Sequence, residues 1–568
     1  MTNALRVRRS IQELQADYEK GNKQPLEDLM RAWKGVKELP PEDPRSFFMI
    51  GGFHGEPFRG GGWGSNLYWG GYCHHGNILF PTWHRMYLVK LEEALRSIQG
   101  CEDVTLPYWD ETSDDSIRQG IPWALTAENF ELDGKTIPNP LRSFVFPKNI
   151  VDNVSADDGT DPNSPNYTKL RGYETVRYPL SGLVGTDKDR KATEEHNAKF
   201  KDAKKNVEIL NQNIVDWLGS FVVINGEKFP TNVAQKYKDC LNAPNYTVFS
   251  NMTSAQQWND DQKNPDGTPG PGTVVPLESP HNSIHLAVGG FETPKDDWSP
   301  IDGANGDMGE NDTAGLDPIF FFHHCHVDRV FWLWQKKQGF TDHLEVIGQY
   351  PGTNSADNQG PTPGVAPNTW LTLDTPLDPF KHEDGRPYTS QDCINIERQL
   401  GFTYSQGSLE GLVEGSHAAA AKETKGRVTG ALHVTGVNRA RIRGSFLISA
   451  FAVIDGKRQH LGTEAVLSRW NVQGCANCQT HLETSATFPL PADLAAALTP
   501  AAAGTHALTA VTPAGNIQFG VVVHGRDGVL FSNLPSGVPE VKSTGKLAAA
   551  SVSQNAPMNR IKARIEVR

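Results

Sequence analysis

His281 and His285 stand four residues apart in a segment that opens with Ser279-Pro280 and runs out at Gly289-Gly290. Serine followed by proline is a good helix start: the serine caps free N–H groups, and proline carries the backbone angle of the first turn. The paired glycines mark the stop. Residues four apart on a helix share a face, so both imidazoles point the same way. Neutral imidazole is the commonest ligand for copper, zinc and iron. This pair therefore asks for a fold that packs further helices, with further ligands, against one face.

Those ligands are at hand. A helix expected from about Pro318 to Gln335 puts Phe320, His324, Val327, Phe331 and Trp334 on one side. A helix expected over Trp83–Ile98 carries an apolar stripe of Tyr87, Leu88, Leu91, Leu95 and Ile98, with Arg85, Glu92, Glu93 and Arg96 opposite. His84 opens it, His75 lies nine residues earlier, and His54 falls in a glycine- and aromatic-rich stretch (51–72) that reads as irregular loop. The result is two sets of three: His54, His75 and His84, then His281, His285 and His324. A zinc-protease reading needs a glutamate directly after the first histidine of the pair, where this chain has Asn282. Any zinc hydrolase also leaves the first set unexplained.

Two longer stretches carry a family resemblance. His75-x4-Phe80-Pro81-Thr82-Trp83-His84-Arg85-x-x-Leu88-x3-Glu92 resembles the copper A signature of tyrosinases. Asp317-Pro318-x-Phe320-Phe321-x-His323-His324-x3-Asp328-Arg329 resembles their copper B signature, shared with molluscan haemocyanins. The resemblance runs over roughly residues 1–405 and ends at Phe402-Thr403-Tyr404, similar to the aromatic-x-Tyr motif that closes the family's core domain. It implies a mainly α core, a four-helix bundle with long loops, holding two copper ions that work with O2. His54, His75 and His84 would hold copper A, and His281, His285 and His324 copper B. His323 and His326 would be neighbours and not ligands, as His74 is beside His75. Phe80 and Phe320 would pack on the ligand rings.

The resemblance also assigns chemistry. Tyrosinases hydroxylate monophenols to o-diphenols and oxidise these to o-quinones. A phenol has a pKa near 10, so a base must take its proton first. In similar tyrosinases a glutamate and an asparagine placed like Glu278 and Asn282 hold a water that does so. Without that resemblance, Glu278 is a helix-start charge favoured by the dipole. Cys73, two residues before His75, stands where fungal tyrosinases join cysteine to histidine by a thioether. The chain departs from the usual fungal motif at His74 and Met86. Asp328, one turn beyond His324, reads equally as an acceptor for a ligand imidazole or as a salt-bridge partner.

A chain of 568 residues is too long for one core. Residues 1–40 read as helical, and 151–172 and 256–276 as long surface loops. After Tyr404 the composition changes. Residues 406–428 look like a linker, and from 429 to 568 the pattern alternates, with hairpin-type Asp455-Gly456 and Asp527-Gly528. This region is expected to form an all-β, sandwich-like domain. Fungal tyrosinases often carry such a domain as a lid over the copper site. Trp470 is the expected plug, and Cys475-x-x-Cys478 a possible copper-loading pair, since thiolates favour Cu(I).

The expected function is thus a latent tyrosinase acting on small phenols such as L-tyrosine and L-DOPA. The alternatives are a catechol or o-aminophenol oxidase, or a haemocyanin-like oxygen carrier. A net charge of −12 argues against nucleic acid as partner, and no run of about 18 apolar residues points to a membrane span. A homo-oligomer remains open. Arg8-Arg9-Ser10 is followed by Gln12, Glu13 and Asp17 instead of an apolar stretch, so it reads as an exposed first helical turn and the expected location is the cytoplasm. Seven scattered cysteines do not form a disulfide framework.

Overall fold

The computed structural model describes residues 5–55, 71–151, 168–184, 187–224, 227–261, 273–291, 304–355, 369–413, 430–442, 444–454, 457–468, 482–491, 494–495, 504–506, 509–512, 515–526, 528–532 and 561–567. The chain begins with a strand, β1 (Arg6–Arg8), where helix is expected from the sequence. Two helices follow: α1 (Ile11–Glu19), capped by Ser10 and Glu13, and α2 (Gln24–Glu38). Leu26, Leu29, Met30, Trp33 and Val36 form the buried face of α2, as their spacing requires.

Strand β1 pairs in parallel with β2 (Phe402–Tyr404), so both ends of the helical region meet. Arg8 is consequently not exposed but fully buried. Its guanidinium lies 3.7 Å from the Phe402 ring centroid, and its Nε donates to Glu92 at 2.8 Å. A buried arginine needs such partners, and the pairing of distant segments supplies them.

Around these ends lie α3 (Phe47–His54), α4 (Phe80–Arg96), α5 (Ala203–Gly219), α6 (Val233–Cys240), α7 (Met252–Asp261), α8 (Glu278–Gly289) and α9 (Ile319–Gln338). Two of these correct sequence expectations. Residues 51–54 end α3, and 256–261 end α7, where loop is expected. At 51–54 burial outweighs a glycine-rich local sequence; at 256–261 only Asn259 is buried, and the turn is held by its bonds to Val274 and by the Gln256–Asp260 bond four residues apart. No helix among the described residues is long and apolar enough to cross a membrane.

Residues 405–413 run along the helical core: Ser408 is bonded to Asp110, and Glu410 to Arg329 and Lys336. Residues 414–428, the rest of the expected linker, lie outside the described residues, as does 429. Two sheets follow. One has the order β6-β3-β11-β7, from Glu483–Pro489, Gly430–Asn438, Lys562–Val567 and Gly504–His506. The other has the order β5-β4-β9-β8, from Lys457–Val466, Phe446–Ile454, Gly515–Gly525 and Thr509–Thr512, with β10 (Gly528–Ser532) paired to β9.

Strand β4 is buried on both faces. Phe446, Ile448 and Ala450 join Leu432, Val434 and Phe488 in the sandwich core, while Leu447 joins Ala465 and Leu467 on the apolar core of the helical region. Alternation along one strand therefore welds the sandwich to the helices.

Candidate metal centre

Helix α8 starts at Glu278, one residue before the expected cap, and Ser279 lies inside it. Its far end is set by close packing: a Cβ on Gly289 would stand 2.0 Å from the Gly309 nitrogen. This seats the helix on the short turn Asp307–Gly309 and fixes how His281 and His285 project. His324 comes from α9, His84 from one turn inside α4, and His54 from the last residue of α3 rather than from a loop. His75 lies in the segment leading into α4.

The six rings form two adjoining triangles. In the first, ring centroids are 5.3 Å (His54–His75), 5.5 Å (His54–His84) and 5.2 Å (His75–His84) apart. In the second they are 4.5 Å (His281–His285), 4.7 Å (His281–His324) and 5.5 Å (His285–His324) apart. His84 stacks on His324 at 4.5 Å, which joins the triangles. Phe320 stacks on His324 at 3.9 Å, and Phe80 lies 4.8 Å from both His84 and His281. Both phenylalanines thus pack where the sequence puts them.

The donor atoms show what this arrangement suits. His285 Nδ1 donates to the Met308 carbonyl at 2.8 Å, His84 Nδ1 to the Phe80 carbonyl at 2.8 Å, and His281 Nδ1 to Asn282 Oδ1 at 2.9 Å. Each bond fixes a tautomer whose Nε2 carries a lone pair. Yet His281 Nε2 and His285 Nε2 lie 3.1 and 3.2 Å from His324 Nε2. The His324 Nδ1 is buried with no hydrogen-bond partner among the described residues, so its Nε2 meets two lone pairs; a cation at this point satisfies all three nitrogens at once. Ligands held at about 2.0–2.1 Å in a tetrahedral array stand roughly 3.3 Å apart. In the first triangle, His84 Nε2 is buried with no hydrogen-bond partner among the described residues. Burial pushes His84 down to about 3 and drives His281, His285 and His324 well below the ordinary range, so all are neutral donors. The residues fit a pair of metal ions.

Cys73 is buried, and its Sγ lies within 4.8 Å of donor atoms of His54 and His75. His74 pairs with Asn77 at 3.2 Å instead. His323 comes within the same 4.8 Å of His281, His285 and His324, but its Nδ1 is engaged by Glu111 Oε1 at 2.6 Å. Tyr237 donates to the other Glu111 oxygen at 2.7 Å. Burial pushes Glu111 up to about 8. Sequence reasoning does not find Glu111: it follows Trp109-Asp110 outside any helix or motif.

Asp328 is a salt-bridge residue and not an acceptor for a ligand ring. It binds Arg85 Nε at 2.6 Å and the Tyr404 hydroxyl at 2.6 Å. His84, His285 and His281 instead use two carbonyls and Asn282. Glu278 is buried; its two oxygens accept the Gly76 and Met252 backbone N–H groups at 2.9 and 2.8 Å. Burial outweighs these bonds and the nearby Arg439, raising Glu278 to about 7. Asn282 gives its oxygen to His281 and its NH₂ to Met252 Sδ at 3.2 Å.

A cavity of about 510 Å³ opens beside these groups. His75, Glu278 and Asn282 line it from the helical side, and Arg439, Leu467 and Leu482 from the β-domain. Trp470, Cys475 and Cys478 lie outside the described residues.

Residues 44–337 match the common central domain of tyrosinase. The chain is 54% identical over 513 residues to a tyrosinase of Hahella sp., covering 86% of this chain and 89% of that one. It is 47% identical over 505 residues to a tyrosinase of Aspergillus oryzae, covering 85% and 88%. It superposes on the tyrosinase of Burkholderia thailandensis with a TM-score of 0.77 at 48% identity, over 99% of this chain and 100% of that one.

Proposed function

This chain belongs to the tyrosinase family and is a copper-dependent oxidase of phenols, and on that premise we propose which of its residues hold the metals, which handle the proton and how access is controlled. The observation that carries the reading is the convergence of the Nε2 atoms of His281, His285 and His324 beside the His54–His75–His84 triangle. His54, His75 and His84 hold copper A; His281, His285 and His324 hold copper B. The bound coppers supply the redox chemistry with O2.

The protein's own part is to orient and to move a proton. Phe80 and Phe320 wedge the rings in place and keep water from the metals' flanks. The phenol hydroxyl enters beside His75 and loses its proton to Glu278, directly or through one water. An ordinary carboxylate is too weak a base for a group with a pKa near 10; one raised to about 7 closes roughly half of that gap and is about half ionised at neutral pH. Asn282 acts on the metal through His281, whose ring it orients. Glu278 beside copper B favours monophenol hydroxylation over a purely diphenol activity.

Leu467, Leu482 and Arg439 narrow the approach to this cavity, so the β-domain acts as a lid and the intact chain is latent. The test is oxygen uptake by copper-loaded protein with L-tyrosine and L-DOPA, before and after limited proteolysis. Turnover of both, rising after cleavage, is expected. Turnover of L-DOPA alone makes it a catechol oxidase; reversible oxygen binding without turnover makes it a carrier.

A further inference from the structure

The turn Asp307–Gly309 joins parts of the molecule that are distant in sequence. Its Met308 carbonyl fixes His285, accepting Nδ1–H at 2.8 Å. Helix α8, with both His281 and His285, ends against it: Gly289 packs on Gly309 without room for a side chain, and the Gly306 N–H meets the Gly289 carbonyl at 2.5 Å. On the helical side Asp307 is tied to Lys169, to the Tyr173 hydroxyl at 2.6 Å and to Thr313 at 2.8 Å.

The other side of the turn is closed by the β-domain. Ser445, just before β4, donates to the Gly309 carbonyl at 2.7 Å. Arg526, in the turn between β9 and β10, donates to the same carbonyl, to Asn305 Oδ1 at 2.8 Å and to Glu310. The Arg526 and Glu310 side chains are each only 1% exposed. This buried, charge-assisted cluster is one peptide away from the carbonyl that orients a metal-binding ring.

We propose that Arg526 is a positioning residue for copper B: by clamping Gly309, it holds the Met308 carbonyl against His285 and keeps the Nε2 atoms of α8 converged. The β-domain then has two separable roles. Around Arg439 and Leu467 it covers the cavity; at Arg526 and Ser445 it braces the metal site from outside. At copper A the carbonyl that orients His84 belongs to Phe80 of α4 itself, so the Arg526 clamp has no path to that ring through its orienting bond. The asymmetry is the mark of the proposal: loss of Arg526 weakens one copper and leaves the other. It rests on the ligand assignment proposed above.

Two backgrounds read the metals separately. His54→Ala removes a copper A ligand and leaves copper B; His285→Ala does the reverse. Each full-length, copper-free chain is titrated with Cu(I) against a chromophoric chelator. In the His54→Ala chain, Arg526→Gln together with Glu310→Gln, which strands no buried carboxylate, is expected to weaken Cu(I) binding about tenfold, the low end of what groups orienting a ligand imidazole contribute. In the His285→Ala chain the same change is expected to leave binding as it was. Ser445→Ala, a smaller lesion that removes no charge, is expected to weaken copper B in the same direction but less. Lys236→Met with Glu464→Gln cuts a different contact between the β-domain and the helices and is expected to change neither site.

Unchanged copper B affinity without Arg526 overturns the proposal. So does equal weakening of both sites, or equal weakening by the Lys236 and Glu464 changes, which would make Arg526 one docking contact among several. If the His54→Ala chain with Arg526 in place binds no Cu(I), the ligand assignment fails, and this inference with it.

Discussion

The backbone N–H of Gly76 donates to Glu278 Oε1 across 2.9 Å, so a carboxylate on α8 is gripped by the loop that presents His75. The acid is thereby held between the two histidine sets, and burial lifts it to about 7. A carboxylate with a raised pKa is protonated, and useless as a base, below that value, and ionised above it. Monophenol kcat/KM is therefore expected to rise as pH increases through about 7, while diphenol oxidation, with an easier proton to lose, depends on it less. Glu278→Gln is expected to lower monophenol kcat/KM about 10²-fold and to flatten that pH dependence, with a much smaller loss on diphenols. Equal losses on both substrates would remove its role in proton transfer.

Asp328 leads to a prediction of the opposite kind. It neutralises Arg85 at 2.6 Å and lies 3.8 Å from Arg8, and both guanidinium groups are fully buried. Asp328→Asn strands Arg85 away from water, while Arg8 keeps Glu92 at 2.8 Å. Breaking a buried pair from one side costs about 3–5 kcal/mol. The expected result is a lower urea midpoint with a normal copper content in the folded fraction. A stable variant that has lost copper B would restore the reading in which Asp328 supports a ligand ring.

Much of this was legible because metal ligands impose rigid spacing. The i,i+4 pair, the place of His324 opposite Phe320, and the stripe above His84 each follow from helical periodicity, and all three helices form within a few residues of their expected limits. What periodicity cannot show is what closes over long sequence distances. Arg8 reads as exposed because its partners, Glu92, Phe402 and Tyr404, are remote in the chain. Glu111 is invisible because its meaning lies in bonds to His323 and Tyr237, both more than 100 residues away. His54 reads as loop because the glycines beside it, chosen for close packing, imitate a flexible segment: a Cβ on Gly51 would stand 2.7 Å from the Gly315 carbonyl.

The Cys73 sulfur lies beside both His54 and His75 in a buried site. Joining it to His75 by a C–S bond removes two hydrogens and needs an oxidant, which copper and O2 supply. Intact protein loaded with copper in air is expected to weigh two hydrogens less than the copper-free protein, with Cys73 resisting alkylation after denaturation. Loading under nitrogen should leave the thiol reactive. An alkylated Cys73 in the aerobic protein would mean that the two side chains remain merely neighbours.

Glu464, on β5, connects the β-domain to the start of α8. It accepts the Ser279 hydroxyl at 2.9 Å and Lys236 Nζ at 3.1 Å, immediately beside Glu278 and two residues from His281. Hydrogen bonds to a charged group contribute about 1.5–3 kcal/mol each when partly buried. Glu464→Gln keeps the shape and removes the charge, leaving Lys236 without its counter-ion. A loss of 1.4 kcal/mol from the closed state, about the lower end of that range, shifts the ratio of closed to open molecules tenfold. Uncut Glu464→Gln protein is therefore expected to turn over L-DOPA up to about tenfold faster than the uncut parent, and the two should converge once proteolysis has removed the β-domain. Lys236→Met offers the check from the other side, since Lys236 stays with the helical core after cleavage: its uncut activity should rise and its cleaved activity should match the parent. If neither change raises uncut activity, this ion pair does not hold the domain in place, and the apolar contacts of Leu447, Ala465 and Leu467 do so together with Ser445 and Arg526.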